Sequence, residues 1–489
     1  MESVMQVNDE VRQRAAERCR ERHVILPTFE QMKDAARIPA GIKERLRKVG
    51  LWDVNPLNLF RIGWHNEPVA QGGGYGAVNY LVLPFALTGV AAPIVMLIGK
   101  WFPTGAHKVG AAYGCLAPRL VTGAFDPTRH KAVWPSTGNY CRGGVFDACL
   151  MGCDSVAILP EQMSRERFEW LRRMGAEVIA TPGCESNVKE IYDACWQIRR
   201  TRPECIIFNQ FEEFGNACWH YHVTGAAAEE AWRAVGGTGA RLAAFVSATG
   251  SAGTIAAGDY LRTIAPRVLI VAAEALQCPT MYENGFGAHR IEGIGDKHVP
   301  WIHNVRNTDA IAAIDDEACL RIFRLFNEEA GQAYLERAGV PRRVVEQLHL
   351  LGISCIANML AAIKTARRFE LTARDVIVSV ATDSAAMYAS RLEEMCAARG
   401  AYTAEHAARD FDGALLATRD DHFAELTYHM RKALHNLKYY TWVEQQGKTV
   451  EELQALWYDE EFWPRTYAQV EAWDRLIEAF NAQSGAVPQ

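Results

Sequence analysis

The chain has 489 residues, 49% of them hydrophobic and 22% charged, with a formal net charge of -6. Its length gives room for two or three domains, its composition is that of an ordinary globular protein, and its charge gives no electrostatic reason to expect nucleic acid or an anionic membrane as partner. The 13 cysteines are scattered without a CxxC spacing, so neither a zinc site nor a disulfide framework follows, no metal is expected, and a reducing cytoplasm is the simpler setting.

Up to about Val54 the chain reads as polar helices, with candidates at Glu10–Arg22, Thr28–Ala36 and Gly41–Val49. Thr28 and Gln31 have the spacing of a capping box. The stretch from Tyr80 to Ile98 is uncharged and long, but Pro84, Gly89 and Pro93 interrupt it. It reads as buried core rather than a membrane span.

From Ile94 to about Ser390 the pattern is strand, turn, helix, repeated. Strand candidates are Lys131–Trp134, Ser155–Leu159, Glu177–Ala180, Cys205–Phe208, Leu242–Ser247, Val268–Ala273 and Val376–Ala381. Between them lie helical stretches such as Met163–Met174, Val188–Arg199, Ala226–Val235 and Thr254–Ile264. This alternation predicts an α/β fold with parallel sheets covered by helices. After about Arg399 the strands are expected to stop. The stretches His406–Arg409, His422–Leu437, Val450–Trp457 and Pro464–Phe480 read as a tryptophan-rich helical appendage or a subunit contact.

Four turns stand out. In Trp101-Phe-Pro-Thr-Gly-Ala-His-Lys108, a proline and a glycine set up a turn with one amine just past it and only small residues after it. Ser136-Thr137-Gly138-Asn139 and Gly250-Ser251-Ala252-Gly253-Thr254 each lie between a strand and a helix. Small residues there let backbone N–H groups approach an anion, and the helix N-terminus adds its partial charge. Thr382-Asp383-Ser384 closes the last strand. Pyridoxal phosphate requires a lysine for a Schiff base, a phosphate cradle, a partner for its pyridine nitrogen and a clamp for the amino-acid carboxylate. Each requirement has a candidate among these turns.

These stretches resemble the fold-type II pyridoxal phosphate enzymes, and most closely the cysteine synthase and cystathionine β-synthase group. The resemblance runs from about Pro103 to Arg391. It rests also on Pro160-Glu-Gln-Met-Ser-Arg-Glu-Arg167, Met174–Gly183, Asn209-Gln-Phe211, His220-Tyr-His-Val-Thr-Gly225, Gly287–Gly295 and Thr382–Tyr388. It implies that Lys108 forms the Schiff base and carries the Cα proton. It implies that Ser136, Thr137, Gly138, Asn139, Tyr140 and Gln210 meet the substrate, with Asn139 also on the cofactor. Gly250, Ser251, Ala252, Gly253 and Thr254 would hold the phosphate of pyridoxal 5'-phosphate, and Ser384 the pyridine nitrogen, with Asp383 as its rival one residue away.

The expected reaction is β-elimination or β-replacement on a serine- or cysteine-type amino acid through an aminoacrylate. The alternatives are a dehydratase or ammonia-lyase, and a non-catalytic cofactor-binding homologue. The expected domains are an N-terminal helical addition (1–56), a larger cofactor domain (57–115 and 226–399), a smaller mobile subdomain (116–225) and a C-terminal helical extension (400–489), in a cytoplasmic homodimer.

Three features depart from the family pattern: the lysine turn with its substrate loop, the residues after Asn139, and the N- and C-terminal helical additions, which have no counterpart in it. The lysine turn is more similar to that of the tryptophan synthase β subunit. The glutamate which that subunit places in its substrate loop is replaced by Pro135-Ser136-Thr137. Tyr140 and Arg142 follow Asn139, where a phenol is expected to fill space or donate a proton. Arg142 is expected either to reach an anionic β-substituent or to point to solvent.

Overall fold

The computed structural model describes residues 7–136, 138–163, 165–183, 188–237 and 239–485. Eleven strands occur among these residues, numbered in chain order. They are β1 (Tyr80–Leu83), β2 (Ile94–Ile98), β3 (Lys131–Pro135), β4 (Asp154–Pro160), β5 (Glu177–Thr181), β6 (Cys205–Ile207), β7 (Arg241–Ala248), β8 (Leu269–Ala275), β9 (Ala310–Ile314), β10 (Asp375–Ala381) and β11 (Phe423–Glu425). All seven strands expected from alternating apolar runs are present. The fold is α/β with parallel sheets and many helices.

The chain forms two compact units. Unit one comprises Met1–Ala77, Trp101–Thr224 and Tyr458–Gln489. Its sheet has the order β5-β4-β3-β6, and every neighbouring pair is parallel. Val133, Val156, Ile158, Ile191, Ile198 and Ile207 form an apolar cluster beneath the helix Val188–Thr201. Burial of this kind contributes about 25 cal/mol per Å² of apolar surface removed from water.

Two glycines bring helices of this unit into backbone contact. A Cβ on Gly114 would stand 2.4 Å from the Gly215 carbonyl oxygen, and one on Gly110 would stand 2.1 Å from the Trp219 ring. The helix Lys108–Thr122 therefore lies closer to Phe214–Trp219 than any larger residue at those positions would allow.

Unit two comprises Val78–Lys100 and Gly225–Trp457. Its sheet has the order β1-β2-β10-β7-β8-β9-β11. The inner pairs are parallel and the two edge pairs antiparallel. The apolar stretch Tyr80–Ile98 supplies β1 and β2, joined through the short helix Phe85–Thr88, and β2 is buried along its whole length. Among the described residues no helix is long and apolar enough to cross a membrane.

Three sequence expectations are corrected. A strand does occur after Arg399, since Phe423–Glu425 pairs with β9 and the helix expected from His422 begins only at Tyr428. Strand β9 was missed because Ala310–Ile314 is short and alanine-rich, without the β-branched signature of its neighbours. The tail, read as one appendage over 400–489, is divided between the units, with residues up to Trp457 in unit two and those from Tyr458 in unit one.

Within unit one the last helix, Phe462–Ser484, caps the N-terminal segment. The Asp474 carboxylate accepts from the N–H groups of Phe29 (2.7 Å) and Glu30 (3.1 Å). Asn481 exchanges two hydrogen bonds with the backbone of Leu26. The capping box at Thr28 and Gln31 is formed as expected.

Candidate active site

In unit one the lysine turn is bent by left-handed backbone at Thr104 (φ 69°) and Gly105 (φ 73°). Such a conformation costs a threonine energy and marks a residue held by its surroundings. Lys108 is the first residue of the helix Lys108–Thr122 and is half-buried. Its Nζ donates to Gln210 Oε1 at 3.4 Å. Gln210 is 5% exposed, and its backbone carbonyl accepts from Asn216 Nδ2 at 3.0 Å.

Buried rings stand behind the lysine. His107 stacks on Trp64 at 5.8 Å and meets His220 edge-on at 4.9 Å. Thr224 Oγ1 accepts from Trp64 Nε1 at 3.1 Å and lies 2.9 Å from His220 Nδ1. Thr224 Oγ1 thus links the indole of Trp64 to the ring of His220. Burial, with Lys108 adding its repulsion, pushes the His107 imidazole well below its ordinary range. Burial, then His107 and Lys108, does the same to His220. Both rings are thus neutral at physiological pH, so the lysine has two uncharged neighbours. The sequence pattern by itself assigns no role to His220, His107 or Trp64. The histidine next to the lysine was the available signal.

The second turn of unit one follows β3. The Ser136 N–H donates to the Ile158 carbonyl at 2.9 Å, and Ser136 Oγ accepts from the Gly138 N–H at 3.2 Å. Asn139 begins the helix Asn139–Met151 and is half-buried. Thr137 lies outside the described residues. A Cβ on Gly138 would stand 2.1 Å from Arg167 Nη1, so glycine is what lets that buried guanidinium approach the turn. The structure therefore gathers Ser136, Gly138, Asn139, Lys108 and Gln210 into one unit.

Tyr140 and Arg142 are placed differently from expectation. Tyr140 is turned into the core, its hydroxyl 3.5 Å from Cys115 Sγ and its ring against Trp134. Burial pushes its phenol well above the ordinary range, which makes it a poor proton donor. Arg142 does not point to solvent. It is 5% exposed and lies over the rings of Trp170 (4.8 Å) and Trp52 (5.6 Å), where a guanidinium gains from both faces.

In unit two the turn Gly250–Thr254 follows β7. Gly250 is required by packing, since a Cβ there would stand 2.6 Å from the Gly293 carbonyl oxygen. Ala252 is left-handed (φ 60°), and the helix begins at Ala256, two residues later than expected. Asn358 ties the ends of two neighbouring strands by accepting from Ala248 N–H (2.7 Å) and donating to the Val380 carbonyl (2.8 Å). These strands lead to Gly250 and to Ser384. Ser384 is 2% exposed. Asp383 Oδ2 accepts from the Tyr388 hydroxyl at 2.7 Å, and its Oδ1 would stand 2.0 Å from a Cβ at Gly352.

The description of a family of pyridoxal-phosphate dependent enzymes matches residues 101–383, more than half of the chain. The chain belongs to that family, and its cofactor is pyridoxal 5'-phosphate. It is similar to a probable cysteine synthase of Bacillus subtilis (strain 168), 29% identical over 304 residues, which are 61% of this chain and 89% of the relative. Among solved structures, O-acetyl serine sulfhydrylase isoform 3 from Entamoeba histolytica has a TM-score of 0.57 at 21% identity, covering 70% of this chain and 94% of that one. The O-acetylserine dependent cystathionine beta-synthase from Helicobacter pylori has a TM-score of 0.54 at 22% identity, covering 64% and 94%. These structural likenesses show the fold. The residues present fit the cofactor. A lysine opens a helix beside a buried amide, and a strand-to-helix turn of small residues carries a glycine that no larger residue could replace.

Proposed function

We propose that this protein catalyses β-elimination or β-replacement on a serine- or cysteine-type amino acid. The observation that carries the reading is Lys108, an amine at a helix start, 3.4 Å from Gln210 Oε1 and within the stretch matched by the family. The relatives named as cysteine synthases support the same chemistry.

Bound pyridoxal phosphate supplies an aldehyde that captures amines and a ring that delocalises the electron pair left at Cα. Lys108 Nζ holds that aldehyde between turnovers. As an amine at the substrate's Cα, Nζ would take the Cα proton as general base. Ser136, Thr137, Gly138 and Gln210 orient the substrate carboxylate, and Asn139 meets the cofactor's ring hydroxyl. Backbone N–H groups of Gly250–Thr254 take the phosphate, as strand-to-helix turns do.

Ser384 faces the pyridine nitrogen as a neutral hydroxyl. The engagement of Asp383 with Tyr388 supports the serine over the aspartate. A hydroxyl leaves the ring nitrogen unprotonated, which suits a reaction whose leaving group departs at once. The reading includes a homodimer in the cytoplasm. The exposed aromatic rings of Tyr428, Tyr440 and Tyr458 support an oligomer, and light scattering tests it.

Borohydride reduction followed by peptide mapping tests the site, with the pyridoxyl group expected on Lys108. A panel of O-substituted serines and cysteine, with and without added thiol, tests the reaction. Thiol-dependent formation of a new amino acid is the expected outcome. Release of a keto acid that thiols do not divert would place the protein with the dehydratases and ammonia-lyases.

A further inference from the structure

In unit two, residues 284–309 connect the short helix Thr280–Glu283 to β9. This connection meets the Gly250–Thr254 turn at one end and the helix that follows the turn at the other. Ahead of the turn, the Gly295 N–H donates to the Thr249 carbonyl at 3.1 Å, and the Gly293 carbonyl occupies the space a side chain at 250 would need. Behind it, the helix Ala256–Ile264 carries Asp259, whose carboxylate accepts from Asn304 Nδ2 at 2.9 Å and from Asn307 Nδ2.

The middle of the same connection is gripped by the C-terminal addition. Lys438, at the end of the helix Tyr428–Lys438, is 1% exposed. Its Nζ donates to the carbonyls of Trp301 (2.9 Å) and His303 (2.7 Å). Trp442, fully buried, donates its indole N–H to the Val299 carbonyl at 2.8 Å. Its ring also meets those of His298 and Trp301.

A lysine is a poor choice for filling apolar space, because the amine must leave water and burial pushes its pKa well down. Two backbone carbonyls receive its N–H groups. What the lysine provides is a fixed position for Trp301 and His303, six and eight residues beyond Gly295.

We propose that Lys438 and Trp442 are positioning residues for the cofactor's phosphate. They hold the connection from Val299 to His303, whose two ends brace the Gly250–Thr254 turn and the helix that follows it. The C-terminal addition thereby sets the affinity for pyridoxal phosphate. This rests on the reading of that turn as the phosphate cradle.

The test uses the full-length protein, freed of cofactor and titrated with pyridoxal phosphate and, separately, with pyridoxal. Lys438→Met and Trp442→Phe should each weaken pyridoxal phosphate binding by about tenfold, the size of one lost charge-assisted or buried hydrogen bond. Pyridoxal, which lacks the phosphate, should bind as before. Amide exchange over residues 295–307 should speed up in both variants. Lys364→Met is the control. Lys364 Nζ grips the carbonyl and carboxylate of Asp421 at 2.6 Å, in the same addition but away from the connection. Its loss should leave cofactor affinity unchanged at a comparable cost in melting temperature.

Equal losses for pyridoxal and its phosphate, or equal losses in Lys364→Met, would reduce Lys438 to general stability and overturn the proposal. Should Lys438→Met fail to fold, Trp442→Phe decides alone. Gly250→Ala separates the two layers. If it leaves phosphate-dependent affinity intact, the cradle reading fails and the proposal with it. If it weakens affinity while Trp442→Phe does not, the cradle stands and the proposed bracing fails.

Discussion

Unit one presents its candidate residues as side chains on or beside closely packed helices, whereas unit two presents a backbone turn at the ends of parallel strands. In unit one the identity of each group matters. An amine at 108, an amide at 210 and two neutral rings at 107 and 220 are held by glycine-mediated helix contacts. In unit two the side chains of the turn are small, and what matters is where the backbone runs, fixed by Asn358 across two strands. Groups that transfer protons must be particular side chains, while an anion can be met by any backbone N–H that reaches it.

Substitutions should separate the units accordingly. The largest effect is expected for Lys108→Ala, which should cut turnover at saturating cofactor by about a thousandfold, within the range of a lost general base. Gly250→Ala should chiefly weaken cofactor binding, with turnover recovering as pyridoxal phosphate is raised. If its turnover at saturation fell as far as that of Lys108→Ala, the division between side-chain chemistry and backbone cradle would not hold.

Next in size is Gly114→Ala. Its Cβ would stand 2.4 Å from the Gly215 carbonyl oxygen, so the helix carrying Lys108 must shift. Overpacking of this kind costs about 1–3 kcal/mol. Thermal unfolding and turnover should fall together. Gly413→Ala in unit two, where nothing lies within 4 Å of the new Cβ, should leave both nearly unchanged.

Asp147 sharpens the picture of unit one's interior. It is fully buried on the helix Asn139–Met151, and neither carboxylate oxygen has a hydrogen-bond partner among the described residues. Burial raises its pKa well above the ordinary 3.8. The unfolded chain then ionises first, so stability is lost as pH rises above about 4. Asp147→Asn, which cannot ionise, should remove that pH-dependent loss, so that stability at pH 7 approaches that at pH 4. Chemical denaturation at pH 4 and pH 7 measures it.

The smallest effect concerns Asp474, which caps the N-terminal segment. Burial is the leading cause that raises its pKa from 3.8 to about 6, against the lowering by the Phe29 and Glu30 N–H groups. Stability from this group is therefore complete below about pH 4 and falls as pH rises toward 6. Asp474→Asn should flatten the melting temperature over that window. An unchanged slope would mean that the carboxyl titrates alike in the folded and unfolded chains.

The sequence by itself determined the α/β class, the seven strands with alternating or continuous apolar runs and the lysine, serine and glycine turns. Each is written in a few consecutive residues whose spacing has a local physical meaning. It could not determine that Arg142 rests between Trp52 and Trp170, that Tyr140 turns toward Cys115, or that His107 meets His220 across 113 positions. Nor could it divide the tail. Tyr428–Lys438 and Phe462–Ser484 are both amphipathic and aromatic. Only packing sends Lys438 to the carbonyls of Trp301 and His303 and Asp474 to the N–H groups of Phe29 and Glu30. Local propensity is encoded in neighbours along the chain, while the partner of a buried polar group is chosen by which distant backbone it can reach when water is excluded.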